Sequence, residues 1–129
     1  MDAQRIKRLT KLVKVQRQIQ ALHETRHATH LANAMSAERD AHELIQRFDG
    51  GTPMSALFPD LYHQRISRAF AIREEEHALA NQEVARAVAA TLRADKVDRE
   101  RREAGRALEE KIEQHDRLEF AARKGRSAG

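Results

Sequence analysis

Seven histidines are the residues of this 129-residue chain best suited to chemistry. Three of them, His23, His27 and His30, recur at i, i+4 and i+7. On a helix that spacing sets imidazoles about one turn apart on one face, where two can chelate a zinc or nickel ion. Folding the chain about residue 54 would also bring His77 near His30 or Leu31. The surroundings argue against a metal. No carboxylate second shell is evident, the HExxH order is absent and the chain has no cysteine. The same face would be buried in a helical pair, so the three histidines read more simply as polar layers that set register or titrate with pH. No metal and no other cofactor is expected.

The remaining reactive residues offer less. Glu74, Glu75 and Glu76 are consecutive, so on a helix they point in different directions and make no acid and base pair among themselves. Glu109, Glu110 and Glu113 lie among Lys111 and Arg117 and read as surface ion pairs. Gly50 and Gly51 precede Thr52 and Pro53 without the spacing or the lysine of a phosphate-binding loop, so they are turn residues. An enzyme is not expected.

Composition says what has to position these residues. Hydrophobic residues make up 40% of the chain. Alanine supplies 22 of them, and Leu, Ile, Val and Phe together number only 26. That is too little for the walls of a pre-formed apolar pocket. The polar remainder is rich in Arg, Glu and Gln, which lose little side-chain entropy in a helix. Both prolines, Pro53 and Pro59, fall in or just after the stretch 48–55, beside Gly50 and Gly51, and only Gly105 interrupts the stretches from Asp2 to Phe48 and from Pro59 to Lys124. The reading is all-α: two long helices, about 3–48 and 59–124, joined by a turn at about 49–58, with a short tail at 125–129. At 1.5 Å per residue they would be roughly 70 and 100 Å long.

Helices this polar need partners along their length, and a short turn makes them antiparallel. Apolar residues from Ile6 to Leu22, from Leu31 to Phe48 and from Leu61 to Leu92 recur in three- and four-residue steps, without a strict heptad over many turns. The expectation is a single domain, an Ala-rich antiparallel coiled-coil hairpin of uncertain register. Partner numbers should sum to about 108, leaving the longer second helix to overhang. Leu108, Ile112, His115, Leu118 and Phe120 would leave apolar surface on that overhang for another protein or another copy to cover.

Charge is nearly balanced, with 24 basic and 20 acidic residues. The first 22 residues are the exception. Arg5, Lys7, Arg8, Lys11, Lys14 and Arg17 face a single acid, Asp2. Such a basic amphipathic helix suits an acidic protein, a nucleic acid or an anionic lipid surface, or is merely a solvated flank. The stretch has no aromatic residue to stack on bases or sit in a lipid interface, so nucleic acid and membrane are disfavoured. No run is long and apolar enough to span a membrane, no secretory signal is evident, and a cytoplasmic protein is expected.

Two stretches carry a family resemblance. The run Tyr62-His63-Gln64-Arg65-Ile66, through Phe70 to Glu76-His77, is similar to a run of aromatic residues, glutamine and isoleucine that ends in a histidine in the flagellar export protein FliJ. The closing Asp116-Arg117-Leu118-Glu119-Phe120-Ala121-Ala122-Arg123-Lys124 resembles that family's terminal element, and RLTKLVKVQ at 8–16 resembles its opening. The resemblance to FliJ and its type III secretion relative YscO spans nearly the whole chain. It implies a non-enzymatic stalk in flagellum biogenesis and motility, or in type III secretion. The implied partners are a hexameric export ATPase, a membrane export gate and export chaperones, at the cytoplasmic face of the inner membrane. Tyr62, Ile66, Phe70 and His77 would then contact the gate. Leu118 and Phe120, with the basic flank of Arg5 and Arg8, would face the ATPase ring. The other readings are a basic helical nucleic-acid-binding protein and a plain dimerisation coiled coil; whether the hairpin itself is monomeric stays open.

Overall fold

The computed structural model describes residues 2–51 and 53–128. The chain forms α1 (Asp2–Asp49), the short α2 (Pro53–Leu57) and α3 (Pro59–Ala128). The long helices pair antiparallel as a coiled-coil hairpin with the second helix longer, because His23 meets Glu83 while His30 meets Glu76. α1 stops where its capping residues require. Gly50 N donates to Gln46 O at 2.8 Å, and Gly51, at φ 67°, donates to Phe48 O at 3.3 Å. A side chain at that left-handed position would be strained.

The expected turn is partly helical. Pro53 suits the first position of α2, since its missing N–H would be unpaired there anyway. Phe58 N donates to Met54 O and Tyr62 N to Phe58 O, so Phe58 closes α2 and opens α3. Thr52 lies outside the described residues. α3 runs to Ala128 rather than to 124, so the expected tail is helical up to Ala128, with Gly129 outside the described residues. Nothing after Pro59 breaks the helix, and Arg126 in its last turn complements the carbonyl end of the dipole.

The chain divides into two compact units. The first comprises Met1–Gln18 and Ala90–Gly129. On α1 its less exposed positions are Asp2, Ile6, Leu9, Val13 and Gln16, in strict alternation of four and three. On α3 the alternation runs through Ala90, Ala94, Val97, Arg101, Ala104 and Leu108. Arg17 reaches Asp95 at 2.8 Å, and Lys111 reaches Asp2 at 2.9 Å, which holds the Asp2 carboxyl below its ordinary pKa. Beyond Leu108 every residue from 109 to 126 is exposed.

The second unit, Ile19–Ala89, obeys the same rule. Its α1 positions step through Gln20, His23, His27 and His30, then Ala34, Ala37 and Ala41, to Leu44 and Phe48. On α3 they step from Tyr62 and Ile66 through Ala69, Arg73 and Glu76 to Ala80, Glu83 and Ala87. In each unit, then, the buried positions keep the strict heptad that the apolar residues alone do not display. Several of its occupants are simply polar. The numbers of the paired residues sum to 106 for both His–Glu contacts, close to the expected 108.

Small side chains let the two helices approach closely. Among the described residues every buried hydrophobic residue is an alanine, including Ala34, Ala41, Ala90 and Ala94 at 0% exposure. Charged residues enter the seam only with a partner. Arg101 donates to Asp98 at 2.9 Å, and Arg73 donates to Glu74 at 2.8 Å with Glu38 at 3.8 Å. Their aliphatic stems cover the seam while the guanidinium groups stay at its edge.

Two substitutions test this packing by urea denaturation followed by circular dichroism. Ala41→Leu should destabilise the hairpin by about 1–3 kcal/mol, because close-packed helices have no room for three more carbons. Gln16→Leu should stabilise it by about 1–3 kcal/mol, since Gln16 Oε1 is buried without a hydrogen-bond partner.

Candidate functional site

The three histidines do lie on the buried face of α1, and carboxylates meet two of them. His23 Nδ1 is 2.5 Å from Glu83 Oε2, and His30 Nδ1 is 2.6 Å from Glu76 Oε2. An ionised carboxylate only accepts, so each Nδ1 carries the proton. Both histidines are a heptad apart on α1, and both glutamates are a heptad apart on α3, so one layer geometry is used twice. Glu83 is 5% exposed and also accepts from Arg86 Nη1 at 3.1 Å. The His23 hydrogen bond, aided by the Arg86 charge, outweighs burial and holds the Glu83 carboxyl below its ordinary value.

These contacts revise two sequence expectations. His77 is exposed, and Glu76 takes the place beside His30. One residue along a helix is a rotation of about 100°, so a register only slightly off 108 exchanges the two. The carboxylate partners that the sequence reading missed are Glu76 and Glu83, whose seven-residue spacing matches that of His30 and His23. Among the described residues no group of three or more His, Cys, Asp or Glu side chains is placed to hold a metal ion. His23 and His30 are occupied by separate carboxylates, while half-buried His27 lies on the turn between them.

The residues expected at the gate do not form one exposed set. Tyr62 and Ile66 are half-buried seam residues, with the Tyr62 ring 6.0 Å from that of Phe48. Phe70 is half-buried and covered by the Arg73 guanidinium, 4.8 Å from the ring centroid. The exposed apolar group lies nearer the turn, at Met54, Leu57, Phe58 and Leu61. Met54 and Leu57 lie on α2, Phe58 at the junction and Leu61 in the first turn of α3.

In the first unit Arg5 and Arg8 are exposed on α1. Leu118 and Phe120 are 71% and 68% exposed on the part of α3 that extends past the start of α1, and Ile112 is 51% exposed there. Leu118 and Phe120 do not share a face. Two residues apart on a helix, they point about 200° from each other.

Compared with family models, curated proteins and solved structures, the chain matches none. Among the described residues no helix is long and apolar enough to cross a membrane.

Glu83 sets an acid limit on the hairpin. Its pKa is lower folded than unfolded, so its stabilising contribution is full above the ordinary value of 4.5 and fades as pH falls through the lowered folded value. Glu83→Gln should therefore be less stable than the parent at neutral pH, with the gap closing below pH 4.5. Urea midpoints across a pH series measure this, and a gap that stayed constant into acid would contradict it.

Proposed function

We propose that the chain is a non-enzymatic coiled-coil stalk of a flagellar or type III protein export apparatus, of the kind its FliJ-like and YscO-like motifs imply. The supporting observation is the exposed part of α3. Past Leu108 it carries Ile112, Leu118 and Phe120 uncovered. Large apolar groups on opposite sides of one helix are not covered by a single flat partner. They suit a partner that surrounds the helix, such as the bore of a hexameric ATPase ring.

Arg5 and Arg8, exposed at the start of α1 in the same unit, would steer this part toward an acidic rim, and the apolar side chains would supply affinity once inside. In the second unit, the exposed Met54, Leu57, Phe58 and Leu61 offer a better contact for the membrane export gate than the half-buried Tyr62 and Ile66. Phe70 and His77 would flank that contact. The protein works on this reading in the cytoplasm at the inner membrane, through partners, with export chaperones among them. A nucleic-acid-binding role remains the rival, favoured by the exposed Lys7, Arg8, Lys11 and Lys14. It calls for gel-shift affinity that falls steeply with salt.

Single substitutions distinguish an encircling partner from a flat one. Leu118→Asp and Phe120→Asp should each, separately, cut co-purification with the export ATPase by roughly ten-fold or more, a loss of ~1.4 kcal/mol or above. Helical circular dichroism should be unchanged, because neither side chain is packed against α1. Retained binding by either variant would oppose encirclement, and retained binding by both would remove the ATPase assignment.

A further inference from the structure

We infer that the groove between α1 and α3 in the second unit docks a third, amphipathic helix from a partner protein, one whose apolar stripe has acidic residues along one flank and basic residues along the other. The groove has a volume of about 460 Å³ and is floored by the seam residues Ala37, Leu44 and Ala69, with Ile72 along one edge. Its banks differ in charge. On the α1 side stand Asp40 and Glu43, and on the α3 side Arg65 and Arg68, all exposed.

These charges contrast with others near the seam. Arg73 is paired with Glu38 and Glu74, and Arg86 with Glu83. Among the described residues, Asp40, Glu43, Arg65 and Arg68 have neither an ion pair nor a side-chain hydrogen bond. An open groove with an acidic bank, a basic bank and a floor of small side chains is the complement of a helix with divided flanks. The partner's apolar knobs would enter over the alanines, and its bases and acids would meet Asp40 and Glu43 on one side and Arg65 and Arg68 on the other. Arg47, on α1 toward the turn, calls for one more acid.

The groove's lining reaches from Asn33 to Arg47 along α1, 15 residues or about 21 Å, which matches roughly two heptads of a docked helix. Other occupants fit less well. Asp40 and Glu43 would repel a phosphate backbone, five charged residues along two banks disfavour lipid, and a groove open along its length encloses no small molecule. None of the side chains assigned above to the ATPase or the gate lines this groove.

Fluorescence anisotropy on the full chain tests the inference with three synthetic helical peptides that share one leucine stripe. The first carries Glu on one flank and Lys on the other, the second Glu on both, and the third Lys on both. The divided peptide should bind roughly ten-fold more tightly than either of the others. Arg65→Glu with Arg68→Glu should transfer the preference to the all-Lys peptide, and Asp40→Lys with Glu43→Lys should transfer it to the all-Glu peptide. All four residues are exposed, so circular dichroism should report unchanged helicity in both variants. Absence of saturable binding of the divided peptide at millimolar concentration would overturn the inference, as would a preference order unmoved by both double variants. Sedimentation showing a dimer that Arg65→Glu with Arg68→Glu dissolves would also overturn it, by giving the groove to a second copy of the chain.

Discussion

Among the described residues the buried apolar side chains of the heptad seam are all alanines, so at those positions apolar area alone does little to hold the helices together. Each alanine removes little surface from water, while fully burying a leucine or isoleucine stabilises by about 1.5–3 kcal/mol. What alanine supplies instead is proximity, and proximity makes the polar partners of the seam exacting. Once the backbones are close, an arginine or glutamate at a seam position has to find its counter-charge at the edge. The pairs Arg101–Asp98, Arg73–Glu38 and His23–Glu83 are consequences of that one constraint.

The two His–Glu layers turn the same constraint into specificity. A seam of alanines is nearly indifferent to a slip of one heptad, because alanine would again meet alanine or a similar small residue. The layers are not indifferent. Sliding α3 by seven residues one way would set Glu76 against Ala37, and sliding it the other way would set His30 against Ala69. Either slip keeps one His–Glu contact and strands a charged or polar group at a buried position. Stranding one partner of such a part-buried pair costs more than a typical exposed ion pair returns. His23 and His30 therefore favour one register over a heptad slip, as polar groups inside coiled coils do.

The long helices, the turn near Gly50 and Gly51 and the overhang of α3 were legible in the sequence because backbone chemistry announces them: proline and glycine break helices, and little else here does. The strict heptad was not legible. A search for apolar periodicity passes over Gln16, Gln20, His23, His27 and His30, yet these keep the three-and-four spacing within their units as faithfully as Ile6, Leu9 and Val13 do. The pairing of His30 with Glu76 rather than proximity to His77 depended on a register shift of one or two residues, which composition does not fix. For the same reason Tyr62 and Ile66 looked available to a partner and are seam residues, while Met54 and Leu57 looked like turn and are exposed residues of the short α2.

The two uncovered apolar groups are arranged differently. Met54, Leu57, Phe58 and Leu61 are exposed within eight residues of one another around the junction of α2 and α3. Leu118 and Phe120 stand on opposite sides of one helix, and no shallow surface buries both. Covering one leaves the other in water, with its apolar area still hydrated, so half the available driving force is lost unless the partner closes around the helix. Surface helices that rest on a neighbour concentrate their large apolar residues in one stripe. A helix that spreads them around its circumference while remaining exposed on every side, as α3 does beyond Leu108, has the pattern expected of a segment that a partner encloses.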